Sequence, residues 1–227
     1  MSSSAATQAT PVWGDDSVKL LSFDEGESLP GGITATGYPS DYDGGIGPVS
    51  VISDHIKQGD IPKSGCGQAI WYQASVVATL SGIWTGRGLM IDDGGQPGTV
   101  GELTRSSAVA KNTYSSIAGL YKTCDKTPPP VPSDEQIKSY KASSLHLDCG
   151  GFECVSQRVD VVGTSSGSTF YTTAWSTTLL SGNLVLTVPM RSLGGEGKAP
   201  TRSDADFQQL LSAQIGKLKS AVHFASK

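Results

Sequence analysis

Residues 153–189, ECVSQRVDVVGTSSGSTFYTTAWSTTLLSGNLVLTVP, decide which fold this chain can adopt. The stretch contains three runs rich in Val, Thr, Tyr and Leu, at 153–162, 168–178 and 183–189, a composition typical of β-strands. The turns between these runs are short, whereas parallel strands would need a crossover of about a dozen residues or more. The sequence therefore predicts an antiparallel β-meander.

Helical patterns lie on both sides of the meander in the sequence. Ser203-Asp-Ala-Asp206 is typical of a helix N-terminus, and the residues that follow form one apolar face. That face consists of Phe207, Leu210, Leu211, Ile215, Leu218 and Val222. Upstream, apolar residues at spacings of four and three predict a core-facing helix within 99–124. They are Ala110, Tyr114, Ile117, Tyr121 and Cys124.

Two capping-box patterns set the expected helix starts. The pattern T-x-x-E at 99–102 predicts the start of the helix that ends at Cys124. The pattern S-x-x-Q at 133–136 predicts a helix or helical turn towards Tyr140. Further β-prone runs are found at 49–53, 71–80 and 82–91.

Together these patterns predict an α+β fold, with an antiparallel β-sheet, helices packed on one side and two disulfides. We expect one domain over 17–227, preceded by a flexible leader at 1–16. The 227 residues are 37% hydrophobic and 17% charged, so the chain is long enough to bury a core. Its net charge is −4 and no stretch concentrates basic residues. We therefore expect no nucleic-acid partner and no electrostatic attraction to a membrane.

The composition of the first residues bears on localisation. The start MSSSAATQAT contains no apolar h-region, and the chain has no apolar run of about 18 residues. A leader rich in Ser, Ala and Thr is typical of the flexible segment behind a removed signal peptide or a lipidated cysteine. We therefore expect that a native targeting segment has been cut away before Met1, and that the protein is secreted or lipid-anchored. The membrane would be a partner only through that lipid anchor.

The cysteines favour an oxidising compartment. Their even number, four in 227 residues, is consistent with two disulfides, although four buried thiols in a cytosolic protein would also fit. The segment HLDCGGFEC at 146–154 contains two of them. As a redox dithiol it has four intervening residues instead of the familiar two, and no helix N-terminus lowers the pKa of a thiol. As a metal site it would require His146 and Asp148 to converge with both cysteines.

Catalytic motifs are weak in this sequence. The segment GTSSG at 163–167 matches the G-x-S-x-G pattern of hydrolases, but it lies between two predicted strands and is therefore expected to be a hairpin turn. The histidines, His55, His146 and His223, are scattered without metal-ligand spacing. We therefore predict no catalytic residue, no metal and no cofactor. The alternatives are a hydrolase whose site the motifs do not reveal and a protein–protein interaction module.

Aromatic side chains on the predicted strands are the candidates for ligand binding. They are ordinarily core anchors, but aromatic residues also line ligand clefts together with a few polar groups. The candidates are Trp71, Tyr72, Trp84, Tyr171 and Trp175.

Several short motifs resemble a known family when taken in order. They are Lys19-Leu-Leu-Ser-Phe-Asp-Glu25, Cys66-Gly-Gln-Ala69, Gln73-Ala-Ser-Val-Val-Ala78, Ser81-Gly82, a helix ending at Cys124, and Cys154-Val-Ser-Gln-Arg158. In this order they resemble the PknH-like extracellular sensor domain of actinobacterial serine/threonine kinases and related envelope lipoproteins, over most of residues 18–223. The sequence departs from that pattern at Tyr121, in a region where the family usually has tryptophan.

The resemblance implies a mixed α/β fold with a cleft, two disulfides, an extracytoplasmic location and a non-enzymatic ligand-binding role. The implied partner is an unknown small molecule, lipid or cell-wall fragment, with an envelope protein as a further candidate. No binding residue can be transferred, because the ligand of the family is itself uncertain.

The disulfide pairing follows from this resemblance. A bond between Cys66 and Cys124 would close a long loop and stabilise the fold by roughly 4 kcal/mol, and one between Cys149 and Cys154 a short ring by about 2 kcal/mol. The glycines at 150–151 supply the backbone freedom that such a ring needs. We predict the Cys149–Cys154 bond at the start of the sheet. Four cysteines allow three connectivities, so pairing with Cys66 or Cys124 stays open.

Overall fold

The computed structural model describes twelve parts of the chain: residues 10–14, 17, 20–21, 23, 27–30, 33–37, 83–84, 89–91, 100–103, 106–123, 135–194 and 198–225. The first elements are β1 (Ser28–Leu29), β2 (Ile33–Gly37), β3 (Ile83–Trp84), β4 (Leu89–Ile91), β5 (Val100–Leu103) and α1 (Ser107–Thr123). They are followed by β6 (Glu135–Leu145), β7 (Glu153–Ser165), β8 (Ser168–Ser181), β9 (Leu184–Gly194) and α2 (Asp204–Ala225). The strands predicted at 49–53 and 71–80 lie outside the described residues.

The predicted meander is confirmed, and its strands are longer than the sequence indicated. Strands β6 to β9 pair antiparallel in sequence order. Strands β5 and β3 extend the sheet beyond β9, giving the order β3-β5-β9-β8-β7-β6. A separate three-stranded sheet has the order β1-β2-β4. The described part of the chain therefore has the α+β architecture predicted from the sequence.

The GTSSG segment forms the hairpin turn between β7 and β8, as predicted. Ser165 pairs with Ser168, so the loop consists of two residues. Both have positive φ, 49° at Ser166 and 82° at Gly167, which is the backbone of a turn matched to the twist of the strands. The motif is therefore a connection between strands, and it lacks the strand-to-helix elbow of a hydrolase nucleophile.

Both predictions based on capping boxes are wrong: the first helix starts later than expected, and the second segment is a strand. Residues 100–102 of the first box belong to β5, which pairs with β9, and α1 begins only at Ser107. The Oγ of Ser106 accepts a hydrogen bond from the N–H of Val109 at 3.3 Å, so this serine is the N-cap. The second box, at 133–136, leads into β6 and not into a helix. In both cases pairing with a long neighbouring strand satisfies more backbone groups than a local cap can.

The two described helices lie on opposite faces of the sheet, so the prediction of helices on one side is wrong. The Oη of Tyr121, on α1, lies 2.7 Å from the Oγ of Ser176. On α2, Phe207 stacks against Trp175 with ring centroids 6.4 Å apart. Trp175 and Ser176 are successive residues of β8, and successive side chains of a strand point to opposite faces.

The sequence of β9 explains why both faces are covered. Leu184 and Leu186 pack in the core under α2, whereas Val185 packs with the buried side of α1. All three side chains are at most 1% exposed. Such a continuous apolar run is typical of strands that are buried on both faces. The neighbouring strands mix polar and apolar residues, and so do not carry this signal.

Most of the predicted apolar helix faces are confirmed. On α2, Phe207, Leu210, Leu211, Ile215 and Leu218 are buried, and Val222 is partly buried against the same core. On α1, Ala110, Tyr114, Ile117 and Tyr121 are buried, while Cys124 lies outside the described residues. Burial, and secondly the charge of Glu153, raise the pKa of Tyr114 to about 12, so its phenol stays neutral at physiological pH.

Part of the expected leader contributes to the core. Residues 10–14 belong to the expected leader at 1–16, yet Trp13 is only 3% exposed and is part of the core under α2. Leu21, Phe23 and Leu29 join the same core. The apolar surface that a single tryptophan buries can anchor a segment whose other residues are polar. The composition of the segment does not reveal such an anchor.

We expect Phe207→Ala to lower the free energy of unfolding by about 3–5 kcal/mol, because it leaves a cavity next to Trp175. Urea denaturation followed by circular dichroism measures the change. The matched control is Gln209→Ala, on the exposed side of the same helix, which should change stability by less than about 0.5 kcal/mol. Equal effects of the two substitutions would contradict the packing described for α2.

Candidate functional site

Of the five aromatic residues predicted to line a cleft, the structure describes the side chains of Tyr171 and Trp175. Trp71 and Tyr72 lie outside the described residues. Trp84 is in β3, which is separated from β8 by β5 and β9. At about 4.8 Å per strand this puts roughly 14 Å between the backbones of β3 and β8. Tyr171 and Trp175 share β8, so the backbone of Trp84 lies three strands away from both.

Trp175 is a core residue, which corrects its prediction as a ligand-lining side chain. It is 1% exposed and therefore offers no surface to a ligand. Its Nε1 donates a hydrogen bond of 2.6 Å to Oδ1 of Asp204. Tyr171 lies on the same strand face as Trp175 and is half-buried, so a binding role for it stays a prediction.

Around Trp175 the structure assembles a polar group that we call the Arg158 cluster: Arg158, Asp160, Thr173, Trp175 and Asp204. The Nε of Arg158 lies 3.1 and 3.0 Å from the two carboxylate oxygens of Asp160, and its Nη2 lies 2.9 Å from Oδ1. Its Nη1 donates to Oδ1 of Asp204 at 3.0 Å. The guanidinium carbon lies 5.7 Å from the centre of the Trp175 ring, within the range of a cation–π contact.

Strand register places most of this cluster. Arg158 of β7 lies opposite Trp175 of β8, and Asp160 lies opposite Thr173, so the four side chains share one face. Thr173 Oγ1 donates to Asp160 Oδ1 at 2.8 Å. Asp204 comes from another element, because it is the first residue of α2. The sequence analysis missed the cluster, although Arg158 and Asp160 are separated by one apolar residue, the spacing of a charged pair on one strand face.

The electrostatics of the cluster favour a permanently charged arginine. Hydrogen bonding to Asp160 is the largest cause that raises the pKa of Arg158; burial opposes it, and the charges of Asp160 and Asp204 add to it. About a third of the Arg158 and Asp160 side chains is exposed, 34% and 33%. Water therefore screens these ion pairs, and each contributes modestly. Chemically, the cluster is a clamp that fixes the start of α2 on β7.

The start of α2 carries the cap that the sequence predicted. The Oγ of Ser203 accepts a hydrogen bond from the N–H of Asp206 at 3.3 Å. In return, Oδ2 of Asp206 accepts bonds of 2.8 Å from both the N–H and the hydroxyl of Ser203. These hydrogen bonds lower the pKa of Asp206. The bond from the Ser203 hydroxyl has the largest effect, and the bond from the Ser203 N–H has the next largest. The arrangement is a capping box with aspartate in place of glutamate.

The predicted bond between Cys149 and Cys154 is confirmed. It closes a short ring at the start of β7, and the Cys149 side chain is 6% exposed. Gly150 and Gly151 have φ values of +61° and +94°, which explains the need for glycine at both positions. Cys66 and Cys124 lie outside the described residues, so the second predicted bond stays a prediction.

The disulfide ring is also held by α2. Gln208 Oε1 accepts a hydrogen bond of 2.9 Å from the N–H of Asp148, and its Nε2 donates to the Asp148 carbonyl at 3.1 Å. A Cβ on Gly150 would lie 2.6 Å from Cγ2 of Ile215, so the ring packs directly on the helix. The ring is therefore a corner of the fold, packed between the sheet and α2.

For the part of the chain that the structure describes, the sequence raised two other chemistries, a metal site and a nucleophile at Ser165. No three or more His, Cys, Asp or Glu residues there are arranged to hold a metal ion. His146 is exposed, and Ser165 ends a strand at a hairpin. None of the described helices is long and apolar enough to cross a membrane. Comparison of the chain with protein-family models, curated proteins and solved structures finds no match.

We expect Arg158→Ala to lower the free energy of unfolding by about 1–2 kcal/mol, because Asp160 and Asp204 lose a shared, partly exposed partner. Arg158→Lys is the matched control. Lysine keeps the charge but cannot form the same fork of hydrogen bonds. The lysine variant should therefore show most of the decrease in unfolding free energy that the alanine variant shows. Urea denaturation of both variants measures the effect. Full stability of the lysine variant would show that charge alone maintains the cluster.

The lowered pKa of Asp206 predicts a pH dependence. Its folded pKa lies below the ordinary value of 3.8, so its carboxylate stabilises the fold above that pH. The contribution is lost as the pH falls through the lower, folded pKa. We expect the stability difference between wild type and Asp206→Asn to be full at neutral pH and to shrink as the pH falls below 3.8. A pH-independent difference in urea denaturation would contradict this prediction.

Proposed function

We propose that this protein is an extracytoplasmic, non-enzymatic binding protein of sensor type in the actinobacterial cell envelope, either secreted or lipid-anchored. The observation that carries the proposal is the bond between Cys149 and Cys154. Structural disulfides form and persist in oxidising compartments and are rare in the cytosol. The sensor role is supported by the resemblance to the PknH-like extracellular domains.

The surroundings of the disulfide support a structural role. Cys149 is buried in the core, and no described helix N-terminus points at it to activate a thiol. A buried, unactivated bond is the kind that secreted proteins use for stability. The implied ligand remains a small molecule, lipid or cell-wall fragment, and an envelope protein is the further candidate partner.

The polar side chains of the described region support a role other than catalysis. The carboxylates of the Arg158 cluster are bound to Arg158, Thr173 and Trp175, and so connect elements of the fold. His55 and the side chain of His223 lie outside the described residues. Binding is therefore the function that we propose.

Intact mass spectrometry after alkylation tests the compartment. In protein exported by an actinobacterial host and kept under non-reducing conditions, Cys149 and Cys154 should resist alkylation until a reductant is added. Free alkylation of both would contradict an oxidising location. Native mass spectrometry of the same preparation tests binding, since a lipid, sugar or peptide that co-purifies would appear as a discrete mass shift.

We expect replacement of Cys149 and Cys154 together by serine to lower the free energy of unfolding by about 2 kcal/mol, the loop-closure value for such a short ring. Urea denaturation of the oxidised wild type and of the double variant measures the difference. In excess reductant the wild type should fall to the level of the variant. An unchanged midpoint in both comparisons would contradict a stabilising role of this bond.

A further inference from the structure

We propose that the turn between β8 and β9 is a recognition site for an extended, tryptophan-bearing peptide, and that residues 10–14 of this chain occupy it in the structure. The site consists of Ser181, Gly182 and Asn183, together with the apolar core beneath them. The proposal does not depend on the compartment or on the sensor role proposed above.

The backbone of Trp13 is bound by a single side-chain amide. The N–H of Trp13 donates to Oδ1 of Asn183 at 2.6 Å, and Nδ2 of Asn183 donates to the Trp13 carbonyl at 3.0 Å. Asn183 is only 7% exposed, so both hydrogen bonds are made in a desolvated place. An amide that pairs with both backbone groups of one residue reproduces half of a β-ladder, which is how extended peptides are commonly recognised.

The indole of Trp13 is recognised separately from its backbone. Its Nε1 donates to Oγ of Ser181 at 3.2 Å. The ring is 3% exposed and belongs to the same core cluster as Leu184 and Phe207. A buried tryptophan with a satisfied N–H contributes a large apolar area without the cost of an unpaired donor. The site therefore distinguishes tryptophan from a purely apolar side chain.

Gly182 leaves room for the peptide to approach. A Cβ at this position would lie 1.8 Å from the carbonyl oxygen of Pro11 and 2.9 Å from its carbonyl carbon. The φ of Gly182 is +60°, so the turn also favours glycine by conformation. The main chain of the turn and that of the peptide are thus in direct contact, which only a residue without a side chain permits.

These contacts with the turn involve Pro11 and Trp13 of the segment. Val12, between Pro11 and Trp13, is 68% exposed, so the segment alternates inward and outward like an extended strand. Beyond it, Gly14 is bound by Ser17, whose Oγ accepts from the Gly14 N–H and donates to its carbonyl at 2.9 Å. Any peptide that presents a tryptophan with a free N–H and C=O carries the same groups.

Occupation by the chain's own segment gives a simple mechanism of competition. A tethered segment acts at an effective concentration of the order of millimolar, so it outcompetes a free peptide of equal affinity at lower concentrations. A free peptide binds when residues 10–14 leave the turn. The ligand class is therefore an extended peptide with an internal tryptophan, and the apparent affinity depends on the tethered segment.

The test uses the full chain with the site vacated by Trp13→Gly. N-acetyl-tryptophanamide is the probe, because it carries the three groups that the site recognises: the backbone N–H, the carbonyl and the indole N–H. We expect a saturable rise in the melting temperature of the variant and saturable heat in calorimetric titration. The wild type should bind at least about tenfold more weakly, because its site is occupied. N-acetyl-leucinamide is the control probe.

Asn183→Asp, combined with Trp13→Gly, is the matched control variant. It keeps the acceptor for the N–H of the probe and loses the donor for its carbonyl, which should weaken binding by about tenfold or more. If Trp13→Gly does not fold, as judged by circular dichroism, Trp13→Leu provides a weaker occupant that preserves apolar packing. The proposal is overturned if the folded variant fails to bind the probe. Equal binding of the leucine analogue, or an unchanged affinity in the aspartate variant, would overturn it as well.

Discussion

The middle strand of the meander, β8, is covered on both faces, and the rest of the fold depends on this constraint. Trp175 and Leu179 pack under α2, whereas Ser176 and Thr178 face α1. A buried hydroxyl without a partner costs about 1–3 kcal/mol. The Oη of Tyr121 provides a hydrogen-bond partner for both hydroxyls, at 2.7 Å from Ser176 Oγ and 3.4 Å from Thr178 Oγ1. One aromatic side chain therefore packs α1 on the sheet and also satisfies the polar groups beneath it.

On the other face, polar side chains fix the position of α2 at three levels. Asp204 is bound by Arg158 at the start of the helix, and Gln208 binds the backbone of the disulfide ring. Near the middle, the fully buried Gln214 donates from Nε2 to the carbonyl of Leu21 at 2.9 Å. Apolar contact is non-directional and would tolerate sliding of the helix. The directed hydrogen bonds set its rotation and its register.

The sequence could predict the meander because strand composition and short turns are local signals. The capping boxes at 99–102 and 133–136 are also local signals, and they led to wrong helix predictions. A local pattern does not show that a long strand is available to pair with the segment. Arg158 and Asp160 lie on β7 and Asp204 lies at the start of α2, so their meeting depends on the assembled fold. The burial of Trp13 was not predicted, because the residues around it have the composition of a flexible leader. The ring at Cys149 was predictable because its partner lies so near in sequence.

The two hydrogen bonds between Gln208 and the backbone of Asp148 have a consequence for how the disulfide forms. Gln208 binds both backbone groups of Asp148, and the Asp148 carboxylate accepts a further bond of 2.8 Å from the N–H of Gly150. None of these bonds involves sulfur, so the corner can reach its final shape while its cysteines are still reduced. Cys149 and Cys154 then face each other before oxidation. The short separation in sequence and these hydrogen bonds both favour the pairing of Cys149 with Cys154.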